Sequence, residues 1–305
     1  MSIQPGQVIQ SHASMSERHD NMGMPTLHRL SKREVDNPIN LVSRQEKHIL
    51  KVMTYNIWEE SSYWQERTNA VIQIIKSQSP DVACLLDVTK QCYDVFSRVL
   101  ESTYIVFQVF TEEEKPSGIV LLCRRDTLEL PDGSQPYYYD YATNGRIIGV
   151  ELKVLSSGDY INVLCTKLDD YRDNDNVRLE QFKIANHVIN KDLKIKNYIL
   201  MGDFNIFSDN EPVAGAISST RMVDAWVKMG CPPKVKYTFD GKKNKSTTDR
   251  TRLRASRIYY HGTRLNIKSM GFVGMGRISE DAPLPPSCHY GLVAWFQVGH
   301  RKEWE

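Results

Sequence analysis

The apolar run Ile199-Leu200-Met201 delivers Gly202, Asp203, Phe204 and Asn205, so a carboxylate and an amide stand two residues apart where a strand would end. Alternation along a strand places such a pair on one face. A carboxylate on a rigid strand end can hold a water in line with a phosphorus, and an amide beside it can donate to a phosphate oxygen. An Asp that merely turns the chain at a strand end has the same local signature, so the pair gains meaning only in company. Two further apolar runs end in the same way: Met53 to Trp58 contains Asn56, and Cys84 to Val88 contains Asp87. An acid that closes a buried strand is costly unless it is paired or bound to a metal. Ser287-Cys288-His289-Tyr290-Gly291-Leu292 adds a histidine immediately before the last apolar run.

These residues need elements to hold them. Leu50 to Ile57 reads as a strand, Tyr63 to Ser77 as an amphipathic helix and Asp81 to Val88 as a strand covered on both faces. Strands are expected at Tyr104 to Phe110 and Gly118 to Cys123, and a hairpin at Arg146 to Leu155 with Tyr160 to Leu168. A helical face runs from Asn176 to Ile189, and a strand returns at Asn197 to Asp203. Short strands are expected at Tyr237 to Asp240, Arg257 to His261, Ile267 to Phe272 and Leu292 to Val298. Consecutive strands with few helices between them favour two packed sheets covered by helices over a Rossmann-type sheet.

Residues 1–48 are polar, with neither a strand nor a helix period, and read as a flexible arm; 49–299 form one domain and 300–305 a tail. His12, His19 and His28 in the arm lack metal-ligand spacing. A hydrophobic share of 41% in 305 residues with a net charge of +2 gives enough apolar material for a core and excludes collagenous and disordered classes. Every apolar run is far shorter than the ~20 residues of a bilayer crossing, so no membrane partner is expected. The start of the chain has no signal-peptide pattern, and the six cysteines show no redox or zinc spacing. An intracellular setting, nucleus or cytoplasm, is the reading that follows.

The order Asn56, Asp87, Asp203 with Asn205, then His289 resembles the endonuclease/exonuclease/phosphatase superfamily. The similarity extends through Thr166 to Asp169, Asp224-Ala225-Trp226, Tyr237 to Asp240 and Arg254 to Tyr260, and covers about 250 residues in the right order. Within the superfamily the second half is most similar to the branch that releases tyrosyl adducts from 5′ ends. The resemblance implies a four-layered α/β sandwich, two mixed sheets flanked by helices, with Mg²⁺ or Mn²⁺ at the mouth between the sheets. It implies a nucleic acid or a protein–nucleic acid adduct as partner. It would make Asn56 a contact to phosphate and metal water, Asp87 the metal ligand, Asp203 the group that orients the attacking water and Asn205 a phosphate contact. His289 would stabilise the charge that develops on phosphorus. Lys167, Asp169, Arg254 and Arg257 would lie on the substrate side.

Four positions depart from the family pattern. Asp87 replaces a Glu, drawing the carboxylate back by about 1.5 Å, and Mg²⁺ tolerates such displacement poorly. Lys167, Ser256 and Cys288 replace a His and two Asp, so the site loses two carboxylates and gains an ammonium whose charge could stand in for a metal's. Two functions of different kind therefore stand open: an impaired or substrate-shifted metal-dependent phosphodiesterase, and a catalytically inactive pseudoenzyme with a binding or structural role. A third feature, Lys242-Lys243-Asn244-Lys245 followed by Arg250, Arg252, Arg254 and Arg257, has the density of a phosphate-binding loop, although Asp240 and Asp249 dilute it.

Overall fold

The computed structural model describes residues 6–7, 48–110, 117–141, 145–192 and 197–299. The expected arm and the 300–305 tail lie outside these, apart from His48 and from Gly6–Gln7, which pair antiparallel with Tyr138 and Tyr137.

Two mixed sheets face each other. In spatial order the first runs Leu265–Val273, Gly291–Val298, Ile49–Asn56, Val82–Thr89, Ser117–Arg124, Tyr104–Phe110. The second runs Gly6–Gln7, Tyr137–Asp140, Arg146–Val154, Tyr160–Lys167, Tyr198–Asp203, Ser256–His261, Val223–Asp224, with Leu128–Glu129 beside Arg146–Val154. Side chains from both inner faces, including Val52, Leu86, Leu121, Val150, Val163, Ile199 and Phe296, form one fully buried cluster. A second cluster joins the outer face of the first sheet (Met53, Leu85, Val120) to Val71, Ile75, Phe96 and Leu100 of the helices Trp64–Gln78 and Lys90–Leu100. A third joins Leu164 and Leu200 of the second sheet to Phe182 and Val213 of the helices Asp175–His187 and Pro212–Ser218. Three apolar interfaces separate four layers, the sandwich that the resemblance implies.

The helix Lys90–Leu100 was not expected from the sequence. It starts directly after the strand Val82–Thr89, with no breaker between them, and Thr89 caps it by accepting from the Cys92 amide at 3.3 Å. Cys92, Phe96 and Leu100, four apart, form its buried stripe. The helix Pro212–Ser218 and the strand Tyr137–Asp140 were likewise unexpected; seven and four residues are too few for a period to show.

Two parallel pairs bring the candidate residues together. Ile49–Asn56 runs parallel to Val82–Thr89, and Tyr160–Lys167 runs parallel to Tyr198–Asp203, each pair joined through a helix on the outer layer. Parallel strands end on the same edge, so Asn56 and Asp87 arrive from one sheet and Lys167 and Asp203 from the other. Gly202 makes the second approach close. Its φ is +136°, and a Cβ there would run into the Thr166 carbonyl of the neighbouring strand.

Candidate active site

At the mouth between the sheets lies a cavity of about 240 Å³ lined by Asn56, Trp58, Glu59, Asp87, Lys167, Asp170, Asp203, Asn205 and His289. Asn56, Asp87, Asp203 with Asn205, and His289, from four separate stretches of the chain, thus line one cavity. A larger cleft of about 970 Å³ adjoins it, sharing Asp87, Lys167 and Asp170 and extending over Trp64, Lys90 and Arg146.

Asp203 is completely buried and sits at the centre. Its Oδ1 accepts a 2.6 Å hydrogen bond from Ser256 Oγ, and its Oδ2 accepts one of 2.8 Å from Asn56 Nδ2. The same Asn56 amide nitrogen also donates to Asp87 Oδ2 at 2.7 Å, while Asn56 Oδ1 accepts from the Trp58 amide at 2.9 Å. Asn56 therefore bridges the two carboxylates and is itself held by the turn that follows it.

Asp87 owes its position to backbone geometry. Its φ is +55°, and pairing with Ser117–Arg124 slips between Leu85 and Val88, a bulge that re-aims the side chain. Its Oδ1 lies 2.7 Å from Lys167 Nζ, which also reaches Asp170 Oδ2 at 3.1 Å. The Asp87 and Lys167 side chains are 13% and 25% exposed, so the pair is largely withdrawn from water. Burial would raise the Asp87 pKa, but the Lys167 charge and hydrogen bond, with the Asn56 amide, outweigh it and hold the group below the usual carboxylate range. Burial opposes the charge on Lys167, but Asp87 and Asp170 outweigh it, and its pKa is raised far above the ordinary lysine value.

Asn205, at φ +49°, donates from Nδ2 to the Leu168 carbonyl at 2.9 Å. The strand ends at Asp203, so Asn205 reaches the shared wall through a left-handed turn, which Asn tolerates, and not through strand alternation. His289 sits on the loop before Gly291–Val298, with the ring edge-on to Phe239 at 5.2 Å. Its Nδ1 is buried without a hydrogen-bond partner and stands 4.0 Å from Asp203 Oδ2, too far for a direct bond. Burial lowers the His289 pKa, with Asp203 and Asp87 opposing, so the ring is neutral at pH 7.

Asp169 is buried, with its amide hydrogen-bonded to Gln181 and its carboxylate accepting from the Tyr171 amide at 2.9 Å. Both guanidinium ends of Arg254 are engaged by Asp224, at 3.0 and 2.7 Å, above the Trp226 ring. Arg257 donates to the Arg254 carbonyl and to the Tyr259 hydroxyl. Neither arginine lines the two cavities above. Lys242, Lys243 and Lys245 are exposed, whereas Asn244 between them is buried and donates to the Ser287 carbonyl at 2.8 Å. Ser287 Oγ in turn donates to the Asn56 carbonyl at 2.7 Å and accepts from the His289 amide at 3.0 Å. Cys288, uncharged, has its thiol pushed up to about 12 by burial and by the nearby Asp87 charge.

Sequence reasoning missed Arg67. Its buried guanidinium donates to the carbonyls of Ile57, Trp58, Glu60, Ser62 and Pro286, and stacks on Trp58 at 4.7 Å. An arginine in a helix otherwise reads as a solvated face, and only Glu60 and Trp58 nearby hinted at another use.

The residues present do not fit the divalent ion that the resemblance implies. Both Asp87 oxygens are engaged, one by an ammonium and one by an amide, and among the described residues no three His, Cys, Asp or Glu side chains cluster as metal ligands. An ion placed on Asp87 would lie against Lys167. At a separation near 4 Å and an effective dielectric near 20, a double and a single positive charge repel by about 8 kcal/mol.

A sequence profile of the Endonuclease/Exonuclease/phosphatase family matches residues 53–279. Tyrosyl-DNA phosphodiesterase 2 of Xenopus tropicalis is 23% identical over 265 residues, 84% of this chain and 68% of that protein. The 5′-tyrosyl-DNA phosphodiesterase of Caenorhabditis briggsae is 26% identical over 268 residues, 82% of this chain and 69% of that protein. A crystal structure of D. rerio TDP2 complexed with single strand DNA product superposes with a TM-score of 0.72 at 16% identity, covering 81% of this chain and 98% of that one.

Proposed function

The chain belongs to the Endonuclease/Exonuclease/phosphatase family, and we propose that it is a phosphodiesterase acting on nucleic-acid phosphodiesters, 5′-tyrosyl linkages foremost. The observation that carries this is the buried Asp203 carboxylate, held by Ser256 and Asn56 on the wall of a cavity it shares with Asn205 and His289. In that setting Asp203 Oδ2 accepts a proton from the attacking water as its oxygen bonds to phosphorus. The bond from phosphorus to the leaving oxygen breaks on the opposite side. The second amide N–H of Asn205, whose first goes to the Leu168 carbonyl, and an N–H of the neutral His289 ring donate to the non-bridging oxygens, where charge accumulates, while Asn56 gives both its amide N–H groups to Asp87 and Asp203. His289 lines this space, and its buried Nδ1 has no protein partner.

The residues that line the cavity support a leaving group that departs without protonation. His289 is neutral and Lys167 is held by two carboxylates, so neither is a ready proton donor to a departing oxygen. A tyrosyl phenol, with a pKa of about 10, leaves as an anion far more readily than a sugar alcohol does. The named relatives cleave tyrosyl–DNA linkages, which supports the same choice. Free thiols at all six cysteines agree with a reducing, intracellular setting, and no helix among the described residues is long and apolar enough to cross a membrane.

The test is hydrolysis of a 5′-phosphotyrosyl oligonucleotide by the purified full chain, with Mg²⁺, with Mn²⁺ and with chelator, beside Asp203→Ala. Turnover that disappears in the variant supports the reading. Absence of turnover, together with retained binding of the oligonucleotide, favours the second reading, a pseudoenzyme that keeps the cleft for binding. The engagement of both Asp87 oxygens is the observation on that side.

A further inference from the structure

We propose that the Lys167 ammonium is a built-in cation seated where a divalent ion would bind Asp87, so that the cleft holds a phosphate without metal. The inference goes beyond the phosphodiesterase reading and holds whether or not the cleft turns substrate over.

Three features combine. Asp87 comes from one sheet and Lys167 from the other, and the bulge at Asp87 carries its short carboxylate to 2.7 Å from the ammonium, a distance that leaves no room for an ion between them. The ammonium is fixed from both ends: its strand residue stands opposite Asp203 on one side and Arg146 on the other, and Asp170 meets it at 3.1 Å. The residues beside Asp203 include Ser256 and Cys288, neither of which carries charge at pH 7, so they add no negative charge that would favour a divalent ion over the ammonium.

The ammonium has three N–H donors, and Asp87 and Asp170 account for two. Lys167 lines both cavities, which leaves its third N–H for a phosphate oxygen. A lysine acts here as a point charge, which suits a phosphate approached from several directions.

The experiment is a titration of the full chain with Mn²⁺, following free ion by electron paramagnetic resonance, paired with calorimetric binding of a short 5′-phosphorylated oligonucleotide in chelator and in Mg²⁺. The wild-type chain is expected to take up no Mn²⁺ saturably and to bind the oligonucleotide equally well under both conditions. Lys167→Gln is expected to gain Mn²⁺ affinity by about tenfold or more, to lose it again with Asp87→Asn added, and to bind the oligonucleotide only with metal. Saturable uptake of one Mn²⁺ by the wild-type chain that vanishes in Asp87→Asn overturns the proposal, as does oligonucleotide binding that the chelator abolishes. If Lys167→Gln does not fold, the two wild-type measurements decide alone. Loss of hydrolysis with both binding results intact counts against the phosphodiesterase reading and leaves this one standing.

Discussion

Ser256 Oγ donates to Asp203 Oδ1 at 2.6 Å across a ladder in which the two residues are direct antiparallel partners. The hydroxyl has a second support, since the Ser256 amide donates to Thr238 Oγ1 at 2.9 Å and fixes the start of the strand. Asp203 has no exposure, so removal of the hydroxyl leaves one oxygen of a buried carboxylate unsatisfied. Ser256→Ala is expected to lower unfolding free energy by about 1–3 kcal/mol, read as a lower denaturant midpoint with an unchanged slope. On the proposed phosphodiesterase reading turnover should fall with it, because Asp203 is then held by Asn56 alone.

Gly202 sits one residue before Asp203 at φ +136°, and any Cβ there meets the Thr166 carbonyl of the parallel strand. Backbone cannot yield as a flexible side chain does, so Gly202→Ala must separate Tyr198–Asp203 from Tyr160–Lys167 at the end that carries Asp203 and Lys167. We expect a loss of about 2–4 kcal/mol, combining strain and lost pairing. Amide hydrogen exchange gives the specific check: protection should fall at Thr166 to Leu168 before it falls in the hairpin strand Arg146–Val154.

What the sequence made legible follows from scale. Asp203 and Asn205, two residues apart after an apolar run, carry their message locally, and Asn56, Asp87 and His289 each end or precede such a run. Their order along the chain, together with the motif resemblance, was enough for the four layers and the shared cavity. The partners of these residues were not legible. Whether Lys167 meets Asp87 or solvent depends on a bulge of one residue and on the spacing of two sheets, and neither has a signature in residue types. Arg254 shows the converse: a basic residue in a basic stretch suggested substrate, while the fold gives both its ends to Asp224, thirty positions away. Asn244 passed unnoticed among lysines, though its amide holds the loop that ends in His289.

The six thiols should differ sharply in reactivity. Cys231 is exposed and the other five are buried. Cys288 stands beside His289, but burial and the Asp87 charge push its thiol up to about 12, so almost none is thiolate between pH 7 and 9. Iodoacetamide on the native chain is therefore expected to label the exposed Cys231 alone, while Cys288 stays silent through pH 9. Peptide mapping by mass spectrometry reads each site. Labelling of Cys288 at neutral pH would mean that the thiol is far more acidic and accessible than its surroundings dictate.

Arg67 offers the sharpest separation of support from chemistry. Its five N–H groups meet five carbonyls, four on the 57–62 turn and one at Pro286, and thereby tie the segment after Asn56 to the segment before His289. The guanidinium touches neither Asn56 nor His289, so any effect on turnover must pass through the positions of those two loops. Burial lowers its pKa, with nearby groups opposing, yet a guanidinium stays charged at neutral pH. Arg67→Met leaves several buried carbonyls without donors and is expected to cost about 3–5 kcal/mol. Arg67→Lys keeps the charge but can serve at most three of the five carbonyls in a different geometry, and should recover only part of that loss. With both variants assayed at a temperature where circular dichroism shows them fully folded, kcat for the 5′-phosphotyrosyl oligonucleotide should still be reduced while KM changes little. Recovery of wild-type kcat in the folded Arg67→Met chain would show that the two loops hold Asn56 and His289 in place without the guanidinium.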